Sequence, residues 1–412
     1  MKTIKSFYFA AAAAMALAVS CSKSSPEVEN NYFYTAPAET GLYEVKFGTR
    51  PQQVQSKSIG AIGGVAGADN TWSGKETLFI YGFNRNIGVA NPSDPSDYVR
   101  DFTGATVENG YCLINNVAAQ APAGSDKGSI TVYKDKDTQE PFFYTPEDCF
   151  DFYGYYIDDA ANELAEDGIT PVAVVEADRV YVPFTINGGQ DLMVAKADQS
   201  ADIAGSEVSN EAYAYSAYSA RRDVHPNLVF THELARFVFK IKAGNNSENA
   251  TGVTINSLTV RSMTSGNLVV AGLGGTECGI ADADAGSYAE LELKEKDAEG
   301  NLVALGTAAP VKPALGDEAV KIGESLLLMP GETVYDLTLN ISQENYTGVI
   351  VPQTHKVRIS VPEGNEAKVF EAGHQYNVIL TVYGLEEVRV SVELTPWVDS
   401  DEPIIIDPDK KD

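Results

Sequence analysis

The chain has 412 residues, enough for two or three domains of ordinary size. Lys and Arg total 30 against 58 Asp and Glu, a net charge of −28, and because the first 20 residues hold Lys2, Lys5 and no acid, the remainder carries −30. That balance excludes nucleic acid as a partner, since binding phosphates needs surplus cations to displace counterions, and it excludes attachment to an anionic membrane by charge alone. A hydrophobic content of 44% supports a real core, and 21 Tyr and 16 Phe against 5 Met lean toward strands.

Lys2 and Lys5 precede an Ala-rich apolar stretch from Phe7 to Val19, 13 residues long and too short to span a bilayer as a helix. It ends in Leu17-Ala18-Val19-Ser20-Cys21. A small residue directly before a Cys at the end of such a stretch resembles a bacterial lipobox. The chemistry implied is diacylglycerol on the Cys21 thiol, cleavage before Cys21 and N-acylation; several acyl chains anchor stably where one does not. An ordinary signal peptide with an incidental Cys is the alternative. Residues 1–20 thus read as signal and 21–38 as a polar tether.

Strands follow. Tyr43, Val45 and Phe47 alternate with Glu44 and Lys46, which predicts a first strand with one buried face. Gln52–Asp69 is Gly-rich, without period, and reads as a long exposed loop. Further strands are expected at Leu78–Phe83, Tyr111–Ile114, Ile130–Tyr133, Phe150–Tyr155, Val172–Val175 and Val180–Ile186. A second set is expected at Phe237–Ile241, Val253–Val260, Leu326–Met329, Tyr335–Ile341 and Val357–Val361. A short helix is expected over Asp159–Glu166 and one helical turn over Thr231–Arg236. Near the end, Tyr376, Val378, Leu380 and Val382, a turn at Gly384–Glu387, then Val388, Val390, Val392 and Leu394 predict a hairpin with one buried face. Many short strands with Gly, Asn and Pro turns mean β-sandwiches. Residues 201–226 are polar and rich in small side chains, a linker between domains at 39–200 and 227–400, with a tail at 401–412.

Chemical motifs fail when tested. His232-Glu233-Leu234-Ala235-Arg236 places Arg236 where a zincin helix needs its second His, so it is rejected and His232 reads as a half-buried structural residue. The four His are too dispersed for a metal cluster. Gly74-Lys75 lacks a P-loop, Gly272-Leu273-Gly274 lacks the third Gly of a dinucleotide fingerprint, and there is no G-x-S-x-G elbow. Asp94/Asp97 and Asp282/Asp284 lack EF-hand spacing and read as solvated loop charge. No catalytic residue, metal site or cofactor is singled out. Cys112 and Cys149 read as small buried hydrophobes; with Cys278 the number is odd, so no disulfide framework is implied, and one bridge among the three stays open.

Four segments carry a resemblance. They are Cys149-Phe150-Asp151-Phe152-Tyr153-Gly154-Tyr155-Tyr156; Arg179-Val180-Tyr181-Val182-Pro183-Phe184 leading to Asp191-Leu192-Met193; Leu228-Val229-Phe230-Thr231-His232-Glu233-Leu234-Ala235-Arg236-Phe237; and Gly373-His374-Gln375-Tyr376 with Val392-Glu393-Leu394-Thr395-Pro396-Trp397. In this order they resemble the bacterial fimbrillin family, the subunits of lipoprotein-derived type V pili. Ile157 departs from it, where a Pro is usual. The resemblance implies an all-β chain of two tandem transthyretin-like Greek-key β-sandwich domains, no enzymatic activity, no cofactor, and export as a lipoprotein to the outer membrane. It implies assembly with other fimbrial subunits by strand exchange, and a host or bacterial surface receptor as a further partner. In the family a protease cuts after an Arg following the first strand. Here that Arg is Arg50, and Pro51 follows it, a poor bond for a protease. A tip or accessory subunit that keeps its first strand fits better than a stalk subunit. Ile404-Ile405-Ile406, an apolar triplet in a charged tail, is the candidate donor strand. The alternative function is a lipid-anchored carbohydrate-binding protein using exposed Tyr213, Tyr215 and Tyr218; an exported hydrolase lacks any supporting motif.

Overall fold

The computed structural model describes residues 36–48, 72–87, 89–91, 94–121, 123–125, 129–244, 248–316, 318–362 and 367–396. The expected loop at Gln52–Asp69 lies outside them. The described chain is nearly all β, in several mostly antiparallel sheets.

At the centre of the first half is a seven-stranded sheet in the order Phe47–Gly48, Ser129–Val132, Cys112–Gln120, Thr77–Asn84, Phe150–Ile157, Leu192–Lys196, Thr231–His232. Both of its faces are covered. On one, Phe79, Tyr81, Phe83, Tyr153, Tyr155 and Val194 pack against Val180, Val182, Leu268 and Val270 of a four-stranded sheet. On the other, Leu78, Ile80, Phe150, Phe152 and Met193 pack under Val45, Phe47, Trp72, Tyr215 and Phe230. A strand buried on two sides reads as a continuous apolar run rather than an alternation, and Thr77–Asn84 and Phe150–Ile157 are both runs of that kind. Their closeness demands Gly82, where a Cβ would meet the Phe152 ring at 2.6 Å.

The second half is a β-sandwich. One sheet is ordered Val320–Lys321, Ala235–Ala243, His374–Val382, Val388–Pro396, with Leu326–Leu328 also on Ala235–Ala243; the other is ordered Ala289–Glu292, Val253–Ser262, Val334–Glu344, Ile350–Ser360. Phe237, Phe239, Tyr376, Val378 and Leu380 from the first interdigitate with Ile255, Val260, Leu337, Leu339 and Ile341 from the second. Ala235–Ala243 and His374–Val382 run parallel.

The expected terminal hairpin forms, pairing Val382 with Val388, Val378 with Val392 and Tyr376 with Leu394. Its buried face fades along the strand. Val388 is buried and Val390 and Val392 are half-buried, but Leu394 is 41% exposed, because the facing sheet no longer covers that end.

Two helical expectations are corrected. Asp159–Glu166 forms only a 3₁₀ turn at Asp159–Ala161. The rest is a tight reversal, in which Asp167 accepts from the Ile169 and Thr170 amides and Gly168 takes φ +68°. Thr231–Arg236 is extended: Thr231–His232 pairs with Met193–Val194, and Ala235 onward pairs on both sides. Available strand partners outweigh a local helical preference.

Strands from either side of residues 201–226 share sheets, since Ser265–Gly272 pairs with Arg179–Thr185. Residues 201–226 pack against the first half, with Ala214, Tyr215 and Ala217 fully buried.

Candidate functional site

The expected site residues Cys21, Arg50, Ile404, Ile405 and Ile406 lie outside the described residues. The structure does describe the segment that the first strand belongs to, Ala36–Gly48, and what holds it.

Regular strand pairing is confined to Phe47–Gly48, with a single bridge at Glu44, so the ladder is shorter than the alternation suggests. The alternation itself is kept: Val45 and Phe47 are buried, and Glu44 and Lys46 are exposed. The segment is hydrogen-bonded on both flanks. On one, the Val45 amide donates to Phe142 O at 2.8 Å, the Tyr144 amide donates to Tyr43 O at 2.9 Å, and Phe47 faces Ile130. On the other, the Gly48 amide donates to Pro226 O and the Leu228 amide to Gly48 O, both at 3.0 Å. A Cβ at Gly48 would run into the Asn227 side chain, which Asp202 holds in place, so a larger residue would have to displace it. Upstream, Glu39 accepts from Arg221 at 2.8 Å and Arg222 at 3.2 Å, and these guanidiniums, Arg221 first, hold its carboxyl below the usual range.

Beneath the segment lies an aromatic floor. Phe47 meets Phe152 edge-on at 5.1 Å, Trp72 meets Phe230 at 5.2 Å, and Tyr144 packs on Phe150 and Phe152. If Val45 and Phe47 left, this floor would face water, and only another strand with alternate apolar side chains would cover it again.

The segment 211–214, which leads toward the Pro226–Leu228 flank, is held by a buried ion pair, while Asp202 accepts from the Asn227 amide and side chain. Arg85 Nε donates to Asp151 Oδ1 at 2.8 Å, and its other nitrogens donate to the carbonyls of Phe150, Glu211, Ala212 and Ala214. Asp151 also accepts from Arg100 at 3.1 Å and Gln199 at 2.6 Å. Burial alone would raise the Asp151 pKa, but Arg85 and Arg100 outweigh it and hold the carboxyl well below the carboxylate range. Nothing in the sequence spacing links Arg85 to Asp151; the tertiary fold joins them.

His232 is fully buried rather than half-buried. Its Nδ1 lies 2.9 Å from Asp191 Oδ2, across the Leu192–Lys196 and Thr231–His232 pairing. Arg236 donates to Ser325 Oγ inside the second half. Next to His232, Glu233 accepts from Thr231 Oγ1, and the enclosure of its carboxyl raises its pKa to about 7. Cys112 and Cys149 are buried, Cys278 is half-buried, and all three are free. Of the three linker tyrosines, Tyr215 is fully buried with its hydroxyl donating to Asp202, so it is no surface platform. Tyr213 and Tyr218 are half-buried and pack edge-on at 5.9 Å, with Arg222 stacked over Tyr218. Asp282 receives Arg179 at 2.7 Å, and Asp284 closes its own loop by accepting from Gly286.

These features define an all-β protein whose first segment is an integral part of its core. A fimbrillin-like family model matches residues 66–397, and the chain belongs to that family of fimbrial subunits. No curated protein sequence matches it. Among solved structures it is similar to a candidate cell adhesion protein from Bacteroides uniformis, with 16% identity, 87% of this chain and 98% of that chain covered, and a TM-score of 0.42. It is also similar to two Porphyromonas gingivalis proteins. One is the fimbrial anchor protein Mfa2, with 12% identity, coverage of 87% and 98%, and a TM-score of 0.33. The other is the C-terminally truncated tip fimbrial protein Mfa3, with 9% identity, coverage of 86% and 100%, and a TM-score of 0.33.

Proposed function

We propose that this fimbrial subunit is exported as a lipoprotein, acylated at Cys21, carried to the outer membrane, and joined to neighbouring subunits by β-strand exchange as a tip or accessory subunit. It is a structural and adhesive protein rather than an enzyme. Its two halves, 39–200 and 227–400, are transthyretin-like domains, with 201–226 packed on the first and Ser265–Gly272 reaching back to pair with Arg179–Thr185. Ile404, Ile405 and Ile406 form the donor strand.

The single observation that carries the subunit role is the family match over residues 66–397. Retention of the first strand is supported by the hydrogen bonds on both flanks of Gly48 and by the burial of Val45 and Phe47. It is also supported by the Arg50-Pro51 bond, which resists proteolysis because proline replaces the amide N–H and restricts the preceding residue. Two measurements test the reading. Replacing Cys21 by Ala should abolish labelling by a fatty-acid probe and release the protein from the membrane fraction; undiminished labelling would sink the anchor. Mass spectrometry of the chain from sheared surface filaments should find residues 36–48 still attached; a mature N-terminus at Pro51 would show a cleaved, stalk-type subunit instead.

A further inference from the structure

Two short helices near the middle of the chain end around one open cleft. The first, Gln199–Ile203, closes at Gly205, whose φ of +77° reverses the chain, with the Ser206 amide donating to Ile203 O. The second, Ala217–Ala220, starts on a capping box between Ser216 and Ser219. It closes with Asp223 at φ +59° and the Val224 amide donating to Ser219 O. Val208 and Val224 are buried and anchor both turns. Gly205, Ser206 and Glu207 from one turn and Arg221 and Arg222 from the other line a cleft of about 480 Å³, a volume ordinary for a small-molecule site.

The arginines are fixed before any ligand arrives. Arg222 lies over the Tyr218 ring, 3.6 Å from its centre, and donates to Tyr218 O at 2.6 Å; Tyr213 packs edge-on against that ring. Glu39, from the first segment, accepts from Arg221 at 2.8 Å and from Arg222 at 3.2 Å, and its side chain is only 7% exposed. These bonds engage only Nη1 of each guanidinium; Nε and Nη2 have no hydrogen-bond partner among the described residues. Glu207 is exposed and has no partner among them either. Groups held in this way lose little freedom on binding.

The lining selects the ligand. None of its five residues carries an apolar side chain, so an apolar ligand gains nothing there. Two guanidiniums stand against the carboxylates of Glu39 and Glu207, so net charge favours neither an anion nor a cation. The cleft offers N–H donors from one turn and a carboxylate acceptor from the other. A hydroxyl both donates and accepts, and adjacent hydroxyls suit the planar fork of a guanidinium. We propose that this cleft binds a neutral saccharide, with Arg221 and Arg222 donating to its hydroxyl oxygens, Glu207 accepting from a hydroxyl, and Glu39 as a positioning residue. The proposal rests on the adhesive reading and on retention of residues 36–48, which carry Glu39. Binding is read on the isolated chain, so it can fail while filament membership stands, and the reverse.

The test is saturation-transfer NMR on the chain from residue 22 to 412. The probes are methyl α-mannoside, methyl β-galactoside and N-acetylglucosamine, with N-acetylneuraminic acid as the anionic comparator. At least one neutral probe should bind with about millimolar affinity, as a small, solvent-open site allows. Glu207→Ala and Arg221→Ala should each weaken that binding about ten-fold, the loss of one hydrogen bond to a charged group. Glu207→Ala should leave the melting temperature unchanged, because Glu207 has no partner in the fold. Glu39→Gln should weaken the neutral probe several-fold and strengthen N-acetylneuraminic acid, because the cleft then carries a net positive charge; no change in either would remove Glu39 from the site. Saturation transfer to none of the neutral probes from the folded chain would overturn the proposal, as would binding indifferent to both Glu207→Ala and Arg221→Ala. Preference of the unaltered chain for N-acetylneuraminic acid over every neutral probe would make the cleft an anion site and refute it as well.

Discussion

Replacing Arg85 by Met tests how the clamp on the first segment is built. The change removes the guanidinium from a buried carboxylate and from four carbonyls, those of Phe150, Glu211, Ala212 and Ala214. Breaking a buried ion pair by deleting one partner costs about 3–5 kcal/mol, mostly because the other charge stays buried. Arg100 and Gln199 still reach Asp151, which moderates the loss. The abandoned carbonyls add to it, because four acceptors lose a charged donor at once. We expect about 4 kcal/mol, or roughly 8–16 °C in Tm at about 2–4 °C per kcal/mol. Exchange should rise first in residues 211–228 and then in 43–48, since the Arg85 anchor precedes Pro226–Leu228 in the chain. The double variant R85M/D151L should recover part of the loss, because the two buried charges are removed together and the Arg100 left behind is partly exposed. The assay is differential scanning calorimetry of residues 22–412 with amide exchange by mass spectrometry. If R85M costs under about 1 kcal/mol, or the double variant is worse than the sum of the singles, the ion pair does not hold the clamp and the reasoning fails.

Phe47→Ala should cost about 3–5 kcal/mol, as large-to-small core changes of aromatic residues do, and should make residues 36–48 the first site of limited proteolysis; cleavage elsewhere first would dissociate the segment from the Phe152 floor. Val388→Asp should lower stability by several kcal/mol, whereas Leu394→Asp, on the same face but 41% exposed, should stay within about 0.5 kcal/mol; equal losses in thermal melts would mean the hairpin's outer end is covered after all. Glu233 has a folded pKa of about 7, above its unfolded value, so its contribution is complete below about pH 4.5 and is lost as pH rises through 7. Glu233→Gln should therefore stabilise the chain by up to about 3 kcal/mol at pH 8 and leave it nearly unchanged at pH 5; a Tm difference independent of pH would rule out a raised Glu233. Acid should act oppositely through Asp151, whose depressed pKa makes its contribution present above about pH 4 and lost as pH falls, so D151N should flatten the acid limb of the melting curve, and an unaltered acid limb would assign that limb to other carboxylates.

The sequence by itself determined what local period and composition control. The alternation at Tyr43–Phe47 and in the terminal hairpin carried the burial of Val45, Phe47 and Val388, because a one-residue slip would have turned each set to water. The fimbrillin-like segments were legible in order, and the family match agrees with them. What only the tertiary structure decided involves residues far apart or buried on two sides. Leu192–Lys196 gave no period because both of its faces are covered, and Ser265–Gly272 was hidden for a similar reason, its apolar half lying wholly in the core. Thr231–Arg236 looked helical by local pattern and is extended, because Met193, Leu328 and Gln375 offer backbone partners there. Tyr215 seemed exposed in a polar stretch; its burial depends on Asp202 accepting its hydroxyl and on Phe152 beneath it. Arg85 and Asp151, 66 positions apart, carry no mark in the sequence of the pair they form. Local pattern fixes which face of a strand is apolar; which strand lies beside it, and which buried charge meets its counter-charge, are settled only when the chain closes on itself.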